Sequence, residues 1–221
     1  MSLLTKSSKS IQIQNYLFNN EGIANEEKNY YFWIIDIEKE KDVNYALDFF
    51  KEIFVDSIFL SYESKYLMFY FREVDFDIES IINSVIDDFS FNIRIYASSK
   101  MDFKKREDFF IIYDLYNKYL NHKSKLYMNN IDLINEIIKS NIDDLKLIKP
   151  IILNKIQDDP QMEILIQAMF KNNLNVTQTA SDIYMHRNTV INKLDYIKKE
   201  TGFNIQKFFD ANIMYWIFKI R

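Results

Sequence analysis

The chain has 221 residues with a formal net charge of −4, and 48% of its residues are hydrophobic and 16% aromatic, which is enough for one large or two small globular cores. Without cysteine it can form no disulfide or thiolate metal site, its two histidines are too few for the usual zinc or iron ligand sets, and no apolar run approaches 18 residues. It also lacks a secretory leader pattern and a glycine-rich phosphate-binding motif, so we expect a cytoplasmic protein that needs no metal or other cofactor.

The net charge is divided unevenly along the chain. Residues 161–221 carry eight Lys/Arg and five Asp/Glu, a net charge of +3, whereas residues 1–160 carry the other 20 and 27, a net charge of −7. A polyanion such as DNA attracts positive surface and repels negative surface. The C-terminal end is therefore the part of the chain that could approach a nucleic acid.

The first half of the chain predicts a small sheet covered by helices. Residues 1–28 are polar apart from one predicted helix near 10–18, and we expect part of this segment to be disordered. The periodicities that follow give a strand at 31–37, a helix over 43–54, a hairpin of strands at 57–62 and 66–71 around Glu63-Ser64-Lys65, a helix over 78–89 and a strand at 92–96. This β-α-β-β-α-β order is that of a ferredoxin-like domain, an antiparallel sheet with both helices on one face.

From about residue 103 the pattern is helical as far as the C-terminus. Predicted helices lie at 103–121, 130–140, 143–157, 161–173, 176–184, 187–200 and about 208–220. The polar stretch 121–130 is the most linker-like part of the chain, and Pro160 interrupts the pattern again. We therefore expect an α+β chain of three parts: an α+β domain at 1–122, a helical linker region at 123–160, and an all-helical domain with a helix-turn-helix at 161–221.

The sequence at 175–202, NVTQTASDIYMHRNTVINKLDYIKKETG, predicts two short helices joined by a tight turn. Asn175 can cap the first helix, with Gln178 as its partner in a capping box. His186 stands where the second helix needs a cap, and Gly202 follows the end of that helix. The apolar stripe that the two helices share around Met185 consists of Val176, Ala180, Ile183, Val190, Leu194 and Ile197.

Several of these residues give the segment a resemblance to a known family. They are Asn175-Val176-Thr177, Thr179-Ala180, the run from His186 to Val190, Leu194 and Thr201-Gly202-Phe203. In this pattern, which covers about 160–217, the chain resembles the C-terminal helix-turn-helix, of the Fis-like class, of the PucR/CdaR family of bacterial transcription regulators. Members of that family often carry a degenerate cyclase-like (GGDEF-like) domain upstream, and the β-α-β-β-α-β order is similar to the core of such a domain.

The resemblance implies that the second helix enters the major groove of double-stranded DNA, where Asn can read adenine and Arg can read guanine. The implied DNA-contacting residues are Thr177, Gln178, His186, Arg187, Asn188, Thr189, Asn192 and Lys193. The first two would meet phosphates, His186 would be a helix cap or phosphate neighbour, the next four would face base edges or phosphates, and Lys193 would reach the DNA backbone. We expect a homodimer that spans half-sites roughly 34 Å apart. We expect the apolar stretch 208–220 to pack mainly in the core, and any aromatic surface it leaves exposed would mark the dimer contact.

Two features keep an alternative open. The family usually has Arg where this chain has Ile191, and Asp182 and Asp195 add negative charge near the implied interface. The alternative is a ligand-sensing or protein-interaction module whose helix-turn-helix has lost DNA binding. A small-molecule effector, if one exists, would act through the N-terminal domain or through a partner.

A third hypothesis is an active nucleotide cyclase. Asp36-Ile37-Glu38 resembles the acidic pair that holds Mg²⁺ in active diguanylate cyclases. Those enzymes also need a hairpin with glycines that let the backbone approach the nucleotide, and the hairpin sequence SYESKY at 61–66 contains none. We therefore expect Asp36 and Glu38 to form a solvated strand end, and we expect the protein not to be an enzyme.

Overall fold

The structure is a computed structural model that describes residues 8–21, 29–37, 40–74, 77–89 and 93–220. The chain divides into two compact units, Met1–Leu133 and Ile134–Arg221. The fold is mixed α+β, as the sequence predicts: the first unit holds a sheet with helices, and the second is helical wherever it has regular structure. Glu38, Asn92 and the segments 1–7 and 22–28, on which some expectations rest, lie outside the described residues.

The first unit confirms the predicted order of elements and adds to it. Its elements are α1 (Ser8–Gln14), which is followed by a short π-helix (Asn15–Asn19), β1 (Asn29–Ile37), α2 (Glu40–Ile53), β2 (Ile58–Tyr62), β3 (Lys65–Tyr70), α3 (Ile78–Phe89), β4 (Ile93–Ala97), β5 (Met101–Asp102), α4 (Arg106–Tyr119) and β6 (Tyr127–Asn129). Helix α5 (Asn130–Ser140) begins in this unit and ends in the second.

The sheet has the strand order β2-β3-β1-β4-β6, and β5 pairs with one end of β1. The pairs β2–β3, β3–β1 and β1–β4 are all antiparallel, as in the predicted ferredoxin-like arrangement. Strand β6 then adds to β4 in parallel. This short strand lies in the stretch 121–130 that looked most linker-like, where Met128 is buried in the core.

Side chains alternate between the two faces of the sheet because successive residues of a strand point to opposite sides. Trp33 and Ile35 of β1 belong to the core that α2 and α3 cover, so the expectation that both helices share one face is correct. The opposite face is covered by α4: the rings of Phe32 and Phe109 lie 5.0 Å apart, and those of Tyr96 and Tyr116 lie 5.5 Å apart. The sheet is thus buried on both faces.

The hairpin is tighter than the sequence indicated. Lys65 pairs with Tyr62 as the first residue of β3, so only Glu63 and Ser64 form the turn. Glu63 adopts a left-handed conformation with φ of 52°. Lys65 was expected in a polar loop, yet its side chain is buried within the sheet.

The second unit is a set of helices that pack around one core. Its elements after α5 are a 3₁₀ turn (Ile142–Asp144), α6 (Leu145–Leu153), a 3₁₀ turn (Asn154–Ile156), α7 (Pro160–Lys171), α8 (Val176–Asp182), α9 (Arg187–Thr201) and α10 (Phe208–Lys219). Helix α7 begins at Pro160 because proline suits the first helical position, and the Asp159 side chain accepts from the Gln161 amide at 2.9 Å. The boundaries expected near 122 and 160 remain predictions.

Two classes of feature are absent from the described part of the chain. None of its helices combines the length and the apolar composition needed to cross a membrane. In the same residues no three His, Asp or Glu side chains are grouped so that they could hold a metal ion.

Candidate nucleic-acid interface

Helix α8 begins at the residue that the sequence predicted as its cap. The Asn175 side-chain oxygen accepts from the Gln178 amide at 3.0 Å, which satisfies one of the free amides of the first turn. The expected capping box is wrong, however, because the Asn175 amide donates to the Asn172 carbonyl instead of to Gln178. Thr177 and Gln178 are left exposed in the first turn of the helix.

The turn between α8 and α9 is closed by backbone hydrogen bonds. The amide of Ile183 donates to the Thr179 carbonyl at 3.0 Å, and that of Met185 donates to Ala180 at 2.9 Å. Tyr184 occupies the left-handed region with φ of 54°, and its side chain is 97% exposed. The chain then enters α9 through His186, whose Nδ1 accepts from the Asn188 amide at 3.2 Å, so His186 is the predicted cap.

The seam between the helices confirms most of the predicted apolar stripe. Ala180 of α8 and Val190, Leu194 and Ile197 of α9 are buried, whereas Val176, Ile183 and Met185 are half-buried. The small Ala180 side chain allows the two helices to approach closely. Burial of this stripe fixes which side of α9 faces the protein and which side faces solvent.

The outer face of α9 lies opposite that buried stripe. Asn188, Asn192, Asp195 and Lys199 follow one another at intervals of four, three and four residues, which places them on one side of an α-helix, and all four are exposed. Arg187 and Thr189 flank this row in the first turn and are also exposed. With 15 residues, α9 is about 22 Å long, which suits a major groove.

Of the eight predicted site residues, seven are exposed and Lys193 is half-buried. Lys193 lies on the flank of α9 that faces α7, where its Nζ donates to the Gln161 side chain at 3.1 Å. All eight therefore lie on α8, α9 and the cap between them. How each one would contact DNA remains a prediction.

Sequence reasoning missed two residues of this surface. Lys199 stands seven residues after Asn192, and this spacing alone would have placed it on the same side of the helix. Tyr184 is the most exposed aromatic side chain of the described residues, and nothing in its neighbourhood of the sequence marks it as a left-handed turn residue.

The charge of Asp182, which weighed against a DNA interface, is paired within the protein. Lys171 Nζ lies 3.2 Å from the Asp182 carboxylate, and Asn172 Nδ2 donates to it at 3.3 Å. These hydrogen bonds hold the pKa of the Asp182 carboxyl below its ordinary value. Asp195, by contrast, remains on the outer face of α9.

The C-terminal end of α9 is fixed by local hydrogen bonds. Gly202 adopts φ of 81° and its amide donates to the Lys198 carbonyl at 2.8 Å, as the predicted cap requires. Thr201 Oγ1 donates to the Ile197 carbonyl at 2.7 Å and accepts from the Phe203 amide at 3.1 Å. The buried Glu200 lies 3.9 Å from Lys155 Nζ, which joins α9 to the 3₁₀ turn after α6.

The second predicted feature, the acidic end of β1, differs from the expectation. Asp36 is no solvated strand end: Arg94 Nη2 donates to its carboxylate, and Lys65 Nζ lies 3.7 Å from the same oxygen. Two cations therefore hold the position where a cyclase would hold Mg²⁺ through this carboxylate. Glu38, the other acid of the pair, lies outside the described residues.

Comparison with known proteins gives one match to a family. The model of the PucR C-terminal helix-turn-helix domain matches residues 165–219, which include the second half of α7 and all of α8, α9 and α10. A solved structure, a regulator of polyketide synthase expression from Bifidobacterium adolescentis, is similar over 86% of this chain and 79% of its own, with 13% identity and a TM-score of 0.38. A similarity at that score does not show a common fold, and no curated protein matches the chain. Residues 165–219 thus form a helix-turn-helix domain of the PucR C-terminal type.

Proposed function

We propose that the protein is a transcriptional regulator that binds double-stranded DNA sequence-specifically through α9, as a cytoplasmic homodimer. The observation that carries the proposal is the outer face of α9, where Asn188 and Asn192 stand in one exposed row beside Arg187, within a domain that matches the PucR helix-turn-helix. The acidic charge of the whole chain does not oppose this, because residues 161–221 carry +3.

The chemistry of these side chains suits the reading of base edges. Asn can make two hydrogen bonds to adenine and Arg two to guanine, and each such pair discriminates against a wrong base by about 1–3 kcal/mol. Thr177, Gln178 and Lys199 would meet phosphates, which position the helix without reading the sequence. His186 would act by holding the start of α9 rather than by catalysis.

Two copies would be needed because one helix of this length offers few base contacts. Phe208 and Phe209 at the start of α10 are 74% and 76% exposed, and their rings pack 5.8 Å apart. This exposed pair supports the expectation that aromatic surface left by 208–220 forms the dimer contact. Sizing of the protein on and off DNA tests this part: a strict monomer in both states would contradict it.

The arrangement in the first unit favours a regulator over an enzyme. We infer that this unit is a degenerate GGDEF-like domain. Arg94 and Lys65 form ion pairs with the Asp36 carboxylate, which in a cyclase would bind Mg²⁺. The hairpin turn of Glu63 and Ser64 contains no glycine. A cyclic product formed from GTP and Mg²⁺ by the purified chain would overturn this inference.

The test of DNA binding is selection from random-sequence duplexes by the purified protein at low and at physiological salt. We expect one sequence to be enriched, with an affinity that falls as salt rises. Arg187→Ala should abolish the selection. Lys146→Ala is the matched control, because Lys146 lies on α6, is 52% exposed and pairs with Asp143. Enrichment of no sequence, or equal binding by the two variants, would favour the alternative of a sensing or interaction module.

A further inference from the structure

Three strands of the first unit carry a row of charged side chains that the proposed function does not use. Asp36 of β1 stands opposite Arg94 of β4. The pairing of Ile35 with Tyr66 places Lys65 of β3 on the other side of Asp36. The charged row of Lys65, Asp36 and Arg94 therefore crosses three neighbouring strands on the face of the sheet that α4 covers.

The cations of this row exceed its anions. Both Lys65 and Arg94 approach the same oxygen of the one carboxylate, Asp36 Oδ2. Arg94 Nη1 also donates to the carbonyls of Asn121 and Lys123 at 2.8 and 3.3 Å. Buried charges are costly unless opposite charges and hydrogen bonds satisfy them, and here one carboxylate serves two cations.

Lys65 is the less satisfied of the two cations. Its side chain is only 8% exposed, and its ammonium lies 3.7 Å from Asp36, beyond ordinary hydrogen-bond length. The ammonium also lies 5.9 Å from the centroid of the Tyr116 ring. An ammonium has three N–H donors, so Lys65 retains the capacity to bind an acceptor.

Tyr116 of α4 adds an unused hydroxyl to the same place. The residue is fully buried, and its hydroxyl has no hydrogen-bond partner among the described residues. Burial and the charge of Asp36 raise the pKa of Tyr116 to about 12, while Arg94 acts in the opposite direction. The Tyr116 ring, whose centroid lies 5.9 Å from Lys65 Nζ, places the residue beside the charged row. The hydroxyl remains a neutral donor at physiological pH.

The second carboxylate of the neighbourhood, Glu63, does not neutralise the row. Glu63 in the hairpin turn accepts from the Tyr113 hydroxyl at 2.9 Å and forms no ion pair with Lys65 or Arg94. The exposed fraction of the side chain rises along the row, from 8% for Lys65 to 17% for Asp36 and 26% for Arg94. The row therefore opens toward solvent at its Arg94 end.

We propose that the charged row and the Tyr116 hydroxyl form a binding site for one small oxyanion, a carboxylate or a phosphate. The anion enters at the Arg94 end, accepts hydrogen bonds from Lys65 and Tyr116, and supplies the second negative charge that two cations require. The site lies in the unit that does not contain the helix-turn-helix, so it stands independently of DNA binding.

The experiment is thermal unfolding of the full chain with phosphate or acetate added in separate titrations, while sodium chloride keeps the ionic strength constant. A ligand that binds the folded state raises the unfolding midpoint in a saturable way. A rise with phosphate alone identifies a phosphoryl ligand, a rise with acetate alone identifies a carboxylic acid, and a rise with both shows that the site reads the shared oxyanion. No saturable rise with either anion overturns the proposal.

Two variants assign such a rise to this site. Lys65→Met should weaken anion binding about tenfold or more, because methionine is similar in length to lysine but lacks its charged N–H donors. The control Lys104→Met removes an exposed lysine of the same unit and should bind as the unaltered protein does. Equal anion binding by both variants overturns the proposal.

Tyr116→Phe keeps the ring and removes only the hydroxyl, so it tests the site even if Lys65→Met does not fold. The expected loss of affinity is about fivefold. Unchanged affinity in this variant contradicts the role given to the hydroxyl and, with it, the proposed site.

Discussion

At the scale of single residues, Tyr184 is the clearest conflict between a side chain and its backbone. A left-handed conformation costs most residues roughly 1–2 kcal/mol because Cβ approaches the following carbonyl, and glycine avoids this cost. The exposed Tyr184 ring gains no burial in return. We expect Tyr184→Gly to be more stable than Tyr184→Ala by about 1 kcal/mol in urea unfolding of the full chain.

The comparison with alanine isolates the backbone term, since both variants remove the ring and only glycine lacks Cβ. If the two variants unfold at the same urea concentration, the φ of 54° at this position is not the source of strain. A loss of stability in both would instead show that the tyrosine ring is needed by the fold.

Residue-level patterns predicted the features that depend on neighbours in sequence. Asn175 and His186 act as caps, and Gly202 ends α9, because each of these roles is set within two or three residues. The environment of Asp36 could not be predicted in the same way. Its partner Arg94 is 58 residues away, and only the register of β1 with β4 brings the two together.

At the scale of elements, α8 is a helix of only seven residues, too short to be stable from its own propensity. Its start therefore depends on the Asn175 cap and its burial on the seam with α9. We expect Asn175→Ala to lower the free energy of unfolding by about 1 kcal/mol, because the Gln178 amide loses its acceptor. Urea unfolding of the full chain measures the change.

Asn175→Asp provides the matched variant for this prediction, since aspartate keeps the accepting oxygen at the same position. It should unfold close to the unaltered protein. Equal destabilisation by alanine and aspartate would mean that Asn175 stabilises α8 by a contact other than the cap.

The elements with strong periodicity were predicted well, and the short ones were not. The ranges of α5, α7 and α9 follow the apolar repeats within a few residues. Strand β6 has three residues and no periodicity of its own, so it exists only because β4 offers a free edge beside it. Covering of the second sheet face by α4 likewise depends on tertiary packing between aromatic side chains.

At the scale of the whole molecule, the proposed homodimer presents Lys199 of α9 to DNA twice. The logarithm of affinity falls with the logarithm of salt by about 0.9 for each phosphate contact. Lys199→Gln should therefore make the slope less steep by about 1.8 for a dimer and by about 0.9 for a monomer, while leaving the preferred sequence unchanged.

Asn192→Ala should change the preferred sequence and not the salt dependence. It should relax the preference at one position of each half-site and leave the slope as it was, because the Asn192 amide carries no charge. Lys146→Gln, which removes a lysine paired with Asp143 on α6, is the control and should alter neither property. Binding isotherms over a series of salt concentrations measure all three variants. A slope unaffected by Lys199→Gln would show that Lys199 does not contact the DNA backbone.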